Sequence, residues 1–167
     1  MNVLTLCQRA LVGIQAQATL REAARAMRAH HVGALAVTDP SEQGRVVGIV
    51  TDRDLVVGPL AGDADIDAQT VETWCHAQLV CVSRTASTQD AVRAMQHAGV
   101  RRIFVTDTHG AVLGMVSMDD LLQSVAGELD ALAQALRTGL NHEGSIDRDV
   151  VHDSAPNRAL YIVRNEP

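Results

Sequence analysis

The chain has 167 residues, enough for one compact domain or two small repeats that share a core. Its formal net charge is −6 and its basic residues are scattered arginines, so a nucleic-acid binder, which needs a basic face, is disfavoured. No apolar run approaches the roughly 18 residues that span a bilayer, and the N-terminus lacks a signal-peptide pattern, so we expect a cytoplasmic protein without membrane contact.

The first half of the chain predicts the element order β-α-β-β-α. A short apolar strand is predicted over residues 11–14, followed by an amphipathic helix with apolar residues at 20, 23, 24 and 27 and Thr19 as its N-cap. Two strands follow, over 32–37 and 46–50, and a turn-forming Asp-Pro-Ser segment joins them. A second helix is predicted after Thr51.

The second half repeats this pattern. Residues 3–39 align without a gap to residues 71–107, and fourteen of these 37 positions are identical. The same reasoning therefore predicts strands over 79–82, 100–105 and 112–116, with a helix that begins after Ser87. A unit of this size buries too little surface to be stable alone, so we expect two α/β units that pack together. The predicted division is repeat 1 over 1–60, a linker over 61–70 and repeat 2 over 71–125.

A helical extension is predicted over 126–140, followed by a polar tail over 141–167. Its apolar stripe consists of Leu122, Val125, Leu129, Leu132 and Leu136. The stripe favours either a homodimer contact or packing on its own domain, and we prefer the homodimer. The segment 141–145 predicts the end of this helix, and the apolar run 159–163 is compatible with an edge strand.

Several motifs recur in order in both halves, over residues 3–125. They are an Ala-x-x-x-Met helix, the strands Val-Gly-Ala-Leu-Ala-Val and Val-Arg-Arg-Ile-Phe-Val, and Gly-h-h-Thr/Ser-x-x-Asp, where h is apolar. The chain resembles the cystathionine-β-synthase (CBS) repeat family in these motifs. The resemblance implies two repeats paired about a pseudo-twofold axis, two clefts that hold adenine nucleotides, and further dimerisation. Many family members have proline at the positions of Ala36 and Phe104, and we expect Phe104 to alter the shape of a cleft.

The Thr/Ser-x-x-Asp motifs also predict a binding site from their own chemistry. Thr51 and Ser117 lie where a strand ends and a helix begins, a position whose backbone N–H groups suit a phosphate. Asp54 and Asp120 follow by one helical turn, and a carboxylate suits the two hydroxyls of a ribose. The same spacing is close to a helix capping box, so a ligand-free oligomerisation scaffold remains the alternative.

The resemblance implies which residues share each cleft. Ser117 and Asp120 would lie with Val12, Gly13 and Ile14, whereas Thr51 and Asp54 would lie with Val80, Cys81 and Val82. It also implies that Arg101 and Arg102 face the phosphates, while the first repeat has Gly33 and Ala34 at these positions. The Asp120 cleft should therefore hold a charged phosphate better. AMP is the first expected ligand, with ATP, NAD and S-adenosylmethionine as alternatives; Asp52 and Asp119 disfavour a triphosphate.

Metal binding and catalysis are weaker interpretations of the sequence. The three cysteines and seven histidines show no paired spacing typical of a zinc site, and the cysteines do not suggest a disulfide framework. Cys81 with His76 or His97 would be the candidate nucleophile and base, but no catalytic signature surrounds them. We expect a regulatory module that is not an enzyme and that acts on a partner protein the sequence does not name.

Overall fold

The computed structural model describes residues 1–42, 44–62 and 64–150, so the expected edge strand at 159–163 lies outside the described residues. The first half contains one three-stranded sheet, in the order β1-β2-β3, with β1 parallel and β3 antiparallel to β2. Its elements are β1 (Gly13–Gln15), α1 (Leu20–His30), β2 (Ala34–Asp39), β3 (Arg45–Thr51), α2 (Asp52–Leu55) and a π-helical turn (Val56–Leu60).

The second half forms an equivalent sheet, in the order β4-β5-β6 and with the same strand directions. The predicted α/β class and the repeated β-α-β-β-α order are therefore confirmed. Its elements are α3 (Val71–Trp74), β4 (Cys81–Ser83), α4 (Thr88–Ala98), β5 (Arg102–Thr106), β6 (Val112–Ser117) and α5 (Met118–Val150).

The helices α1 and α4 begin and end at the residues that their caps dictate. Thr19 accepts a hydrogen bond from the Glu22 N–H, and Ser87 accepts one from the Asp90 N–H, which confirms both predicted N-caps. The two helices end in left-handed backbone conformations, at His31 in the first repeat and at Gly99 in the second.

The two repeats exchange their first segments. Val3 is buried in the core of the second sheet, and Val71 is buried in the core of the first. Reciprocal backbone hydrogen bonds join Gln8 to Met115 and His76 to Ile49, so each segment also pairs with the last strand of the other repeat. The packing units therefore differ from the sequence repeats, and neither repeat completes its core alone.

This exchange explains why the first strands start later than predicted. They were expected at 11–14 and 79–82, but β1 and β4 begin at Gly13 and Cys81. Since Gln8 and His76 pair with the opposite sheet, the residues that follow must cross between the sheets before they can join their own. Before each first strand, one backbone hydrogen bond already joins the chain to the neighbouring strand. The Ala36 N–H donates to the Val12 carbonyl, and the Phe104 N–H donates to the Val80 carbonyl.

Helix α5 is longer than the sequence indicated. It runs from Met118 to Val150, so the predicted end at 141–145 is wrong. Asn, Gly and Ser each lower helix propensity by only about 1 kcal/mol or less, and this segment has no proline to remove a hydrogen bond. Contacts divide the chain after Ser124 into two compact units, and both repeats lie in the first. Among the described residues, no helix combines the length and apolar character that crossing a membrane requires.

Candidate functional site

The Ser117–Asp120 motif forms a helix cap that also reaches the other repeat. The Ser117 N–H and hydroxyl donate to one Asp120 oxygen at 2.8 and 2.5 Å, and the Asp120 N–H donates back to the Ser117 hydroxyl. The second Asp120 oxygen accepts a hydrogen bond from the Gln8 side-chain amide at 2.8 Å. Asp120 thus caps α5 and bonds to the segment that crosses from the first repeat.

The Thr51–Asp54 motif repeats this arrangement with different chemistry. The Thr51 N–H and hydroxyl donate to one Asp54 oxygen, and the His76 ring nitrogen lies 3.0 Å from the other. Burial raises the pKa of Asp54, but the hydrogen bonds from Thr51 and His76 together outweigh it, so the pKa lies below that of a free aspartate. Asp54 is therefore held as a carboxylate.

Several of the backbone N–H groups expected to receive a phosphate are already paired. Besides the two capping bonds at each motif, the Met118 N–H donates to the Arg101 carbonyl and the Asp52 N–H donates to the Gly33 carbonyl. The prediction of unpaired N–H groups at these junctions is therefore wrong for Asp52, Asp54, Met118 and Asp120. A phosphate here depends instead on side-chain cations.

A cavity of about 220 Å³ connects four of the predicted residues. Val12 comes from the first repeat, and Arg102, Ser117 and Asp120 come from the second. The other walls come from the segment before β1, from the start of β2, and from β6: Gln8, Ala10, Leu11, His31, Val32, Gly33, Ala34, Ala36 and Met115. The cavity therefore brings together one cation, one carboxylate, one hydroxyl and an apolar wall.

Three predicted residues of this cleft lie outside the cavity wall. Ile14 is buried in the first core, Gly13 is exposed on β1, and Arg101 is exposed just before β5. Ile14 differs from its neighbours because adjacent side chains along a strand point to opposite faces of the sheet. Within the predicted Arg101–Arg102 pair, only Arg102 lines this cavity.

Gly33 brings Arg102 close to an acid. A Cβ at Gly33 would lie 3.0 Å from an Asp52 carboxylate oxygen and 3.6 Å from an Arg102 guanidinium nitrogen. Both charged groups therefore flank the same point on the cavity wall. Since the Asp52 carboxylate lies on the same side of the cavity as Arg102, its charge opposes a highly anionic ligand there.

The second predicted cleft is arranged differently. Cys81 lines another cavity, of about 420 Å³, together with Leu79 and the start of β3, but Thr51 and Asp54 are not among its walls. Val80 and Val82 pack against the second core. Phe104 is buried at the repeat position where Ala36 lines the Asp120 cavity.

A family model for the CBS domain matches residues 3–58 and 71–127. The chain belongs to the CBS-domain family. The recognition made from the repeated motifs is confirmed, and the two matched segments coincide with the two exchanged repeats described above.

Relatives of this CBS pair occur in distant organisms. An uncharacterized 17.7 kDa protein of Acidianus ambivalens is 34% identical over 112 residues, which are 67% of this chain and 65% of the relative. Hypoxic response protein 1 of Mycobacterium tuberculosis is 34% identical over 103 residues, which are 62% of this chain and 70% of the relative. The chain spans 53% of a protein from Methanopyrus kandleri, so it matches less than two thirds of some relatives.

Solved CBS structures share this architecture. A CBS-domain protein from Agrobacterium tumefaciens is 28% identical with a TM-score of 0.65, and the match covers 74% of this chain and 97% of that one. A CBS-domain protein from Pyrobaculum aerophilum was solved with AMP; it is 23% identical with a TM-score of 0.66 and coverages of 76% and 99%. A CBS-domain pair solved with 5′-methylthioadenosine and S-adenosyl-L-methionine is 20% identical with a TM-score of 0.67 and coverages of 77% and 98%.

One solved neighbour of this CBS pair contains a metal, and the chain itself has an exposed cysteine. The structure of hypoxic response protein I, 27% identical with a TM-score of 0.63 over 74% of this chain and 98% of that one, holds two zinc ions. In the described part of the present chain, no group of three or more His, Cys, Asp or Glu side chains could hold a metal. Burial raises the pKa of Cys81, which lowers the fraction of reactive thiolate.

Sequence reasoning overlooked Gln8 and His76 as contacts of the two aspartates. They occupy the same repeat position, and each reaches across to the aspartate of the other repeat. The signal was present, since two polar residues stand at matched positions directly after Cys7 and Cys75. The crossing that gives them a function is a tertiary feature, which a comparison of the two halves does not show.

Proposed function

We propose that this CBS pair is a regulatory module that binds one adenosine nucleotide in the Arg102–Asp120 cavity and does not catalyse its conversion. AMP is the first ligand, ahead of NAD, ATP and S-adenosylmethionine. The observation that carries the proposal is the cavity itself, because Arg102, Ser117 and Asp120 face Val12 of the other repeat across one space. Two solved neighbours that share the fold carry adenosine compounds, which supports the ligand class.

The Asp120 carboxylate is the proposed ribose acceptor. A carboxylate offers about four acceptor positions, and three of them are taken by the Ser117 N–H, the Ser117 hydroxyl and the Gln8 amide. Two ribose hydroxyls therefore require the Gln8 amide to leave. The cavity of 220 Å³ is also smaller than the range of about 300–1,000 Å³ that is usual for ligand pockets. Departure of the Gln8 side chain would enlarge it.

The adenine and the phosphate have separate walls. Leu11, Val12 and Ala36 supply an apolar surface for the base, and no Phe, Tyr or Trp side chain is among the described residues that line this cavity. Arg102 supplies donors for phosphate oxygens, since a guanidinium forms paired hydrogen bonds with them. With Asp52 close to Arg102, we expect a monophosphate to bind better than a triphosphate.

Regulation follows from the position of the cavity between the repeats. A ligand that contacts both repeats binds most tightly to the arrangement in which its walls are closest, and it therefore shifts the population toward that arrangement. Loss of the Gln8–Asp120 bond on binding would loosen the crossing segment at the same time. The homodimer expected from the sequence is part of this proposal and is supported by exposed apolar side chains on α5.

The test is isothermal titration of nucleotide-free protein with AMP, ATP, NAD and S-adenosylmethionine, repeated on Asp120→Ala. We expect micromolar binding of AMP that the variant loses, while its folded far-ultraviolet spectrum is retained. Chromatography of the ligand after overnight incubation should recover it unchanged. Turnover that disappears in Cys81→Ala would instead support an enzyme.

A ligand-free scaffold is the second candidate, because both Thr/Ser-x-x-Asp motifs form complete capping boxes. Under this alternative Asp120 only caps α5, and its removal would cost about 1 kcal/mol of stability. No heat from any of the four compounds with folded protein would favour the scaffold over the sensor.

A further inference from the structure

His31 places an imidazole on the wall of the Arg102–Asp120 cavity. It is the residue at which α1 ends, and it is exposed, so both solvent and a bound ligand can reach its ring. Gly99 occupies the matched position at the end of α4. The imidazole at this position is therefore a feature of the first repeat alone.

The backbone of His31 adopts a conformation that glycine adopts more easily. Its φ is 52°, and in the described part of the chain it is the one non-glycine residue with a positive φ. A side chain in the left-handed region costs conformational energy that Gly99 avoids. Strained residues of this kind cluster at ligand sites, where the side chain has a role that outweighs the cost.

We propose that His31 is a phosphate-binding residue of this cavity and that its imidazole takes up a proton from solution when AMP binds. The inference rests on the proposed function and adds that AMP binding responds to pH. The one covalent change is the new N–H bond of the imidazolium, and the nucleotide itself is unchanged. The module would thereby respond to pH as well as to the nucleotide.

The charges around the cavity favour the protonated ring. Asp120 lines the cavity together with His31, and Asp52 flanks Gly33, two residues further along the same wall. Arg102 is the one guanidinium among the described residues of this wall, so a single fixed cation opposes two carboxylates before the ligand adds its phosphate. Because carboxylates and phosphates stabilise a nearby cation, an imidazolium fits this place.

The end of α1 acts in the same direction, and a neighbouring cation opposes it. The C-terminal end of a helix carries partial negative charge on its unpaired carbonyl groups, which stabilises a cation at the C-cap, the position of His31. Arg28 and His30 are the basic residues in the last turn of α1. Since the charge of Arg28 disfavours a second cation close by, we expect full protonation only when the phosphate is bound.

Imidazole is the side chain of this set that titrates near neutral pH. In general, carboxyl groups titrate below about pH 5 and guanidinium groups above about pH 12, whereas imidazole titrates between about pH 5 and 8. A phosphate monoester also titrates near about pH 6, but Arg102 favours its dianion, so the phosphate releases protons on binding. Proton uptake on AMP binding therefore reports on an imidazole, and His31 lines the cavity whereas His30 does not.

Calorimetric titration of AMP at pH 7, in buffers of different ionisation enthalpy, measures the proton uptake. We expect about half a proton per AMP for the unmodified chain. None is expected for His31→Asn, because asparagine tolerates the left-handed conformation but cannot be protonated. The ratio of the AMP affinities of the two proteins should rise about fourfold from pH 7.5 to pH 6.0, and this ratio cancels the titration of the ligand.

Two controls separate the phosphate contact from general effects. Adenosine, which lacks the phosphate, should bind to the unmodified chain and to His31→Asn with the same affinity. His30→Asn removes the neighbouring imidazole, which lies outside the cavity wall, and should keep the proton uptake of the unmodified chain. Urea denaturation of His31→Gly should show equal or higher stability, while its AMP affinity falls as in His31→Asn.

The outcomes distinguish this inference from the proposed function. AMP binding without proton uptake, or with the same uptake in His31→Asn, would overturn the role of His31 and leave the nucleotide site intact. Equal losses of adenosine and AMP affinity in His31→Asn would also overturn it, because the imidazole would not act on the phosphate. Absence of AMP binding by the folded, unmodified chain would refute the proposed function and this inference together.

Discussion

At the Asp120 carboxylate the donor from the other repeat is the Gln8 amide, whereas at the Asp54 carboxylate it is the His76 ring. The capping boxes, the strand registers and the crossed segments are otherwise equivalent in the two repeats. The two repeats have thus kept the same backbone arrangement, while the side chains that contact the two aspartates have diverged.

The divergence continues at two other matched positions. Arg102 lines the Asp120 cavity and Ala34 occupies its place in the first repeat, while Ala36 lines that cavity and Phe104 is buried at the equivalent position. Where the Asp120 cavity has the cation Arg102 and the small side chain of Ala36, the matched positions of the other repeat hold Ala34 and the buried ring of Phe104. Two repeats with the same backbone arrangement therefore need not form two equal binding sites.

The largest expected effect comes from the glycines where the crossing segments pass. A Cβ at Gly114 would lie 2.3 Å from the Gln8 carbonyl oxygen, whereas a Cβ at Gly48 would lie 3.1 Å from the His76 carbonyl oxygen. We expect Gly114→Ala to lower the free energy of unfolding by about 3 kcal/mol and Gly48→Ala by about 1 kcal/mol. Urea denaturation of both variants measures this, and equal losses would contradict the asymmetry.

The next effect separates the two neighbouring arginines. Arg102→Ala should weaken AMP binding by about 2 kcal/mol, roughly thirtyfold, because it removes charged hydrogen bonds to the phosphate. Arg101→Ala should change the affinity by less than about threefold, since Arg101 is exposed and outside the cavity wall. Titration calorimetry on both variants measures these affinities. A larger loss of AMP affinity in Arg101→Ala would mean that the ligand binds in another cleft.

A smaller effect is expected from Asp54 and depends on pH. The folded-state pKa of Asp54 is lowered, so its stabilising contribution is present above the unfolded value of about 3.9 and is lost as pH falls through the folded value. Asp54→Ala should therefore cost about 1 kcal/mol at pH 7 and less at pH 3. Denaturant curves at both pH values measure this loss of stability. A loss that increases on acidification would contradict the prediction.

The smallest effect concerns Gln8, which competes for the proposed ribose acceptor. Gln8→Ala leaves Asp120 open on one oxygen and should tighten AMP binding by about threefold, or roughly 0.6 kcal/mol. His76→Ala at the equivalent position serves as the control and should leave AMP affinity unchanged. Weaker binding by Gln8→Ala would mean that the amide contacts the ligand.

Local features of this fold were predictable from the sequence. The duplication, the amphipathic helices and the caps Thr19 and Ser87 follow from patterns within a few turns of chain, and the structure confirms them. The exchange of Val3 and Val71 between cores was not predictable in this way, because both residues are apolar in either arrangement. Helix length beyond residue 141 was missed because several mildly unfavourable residues do not stop a helix.

The candidate site was predictable to a similar degree. Val12, Arg102, Ser117 and Asp120 line one cavity as the resemblance implied, although binding there is still a prediction. Ile14 was misplaced because side chains alternate along a strand, so Ile14 points into the core while its neighbours on β1 are exposed. The pairing of the Asp52 and Met118 N–H groups required tertiary contacts that no local pattern contains.

The most direct measurement of the central claim is a calorimetric titration of AMP into the unmodified chain, Asp120→Ala and Asp54→Ala side by side. We predict that one AMP binds per chain, that binding is lost in Asp120→Ala and that it is retained in Asp54→Ala. Two equal sites in the unmodified chain, or loss of binding in Asp54→Ala alone, would contradict it.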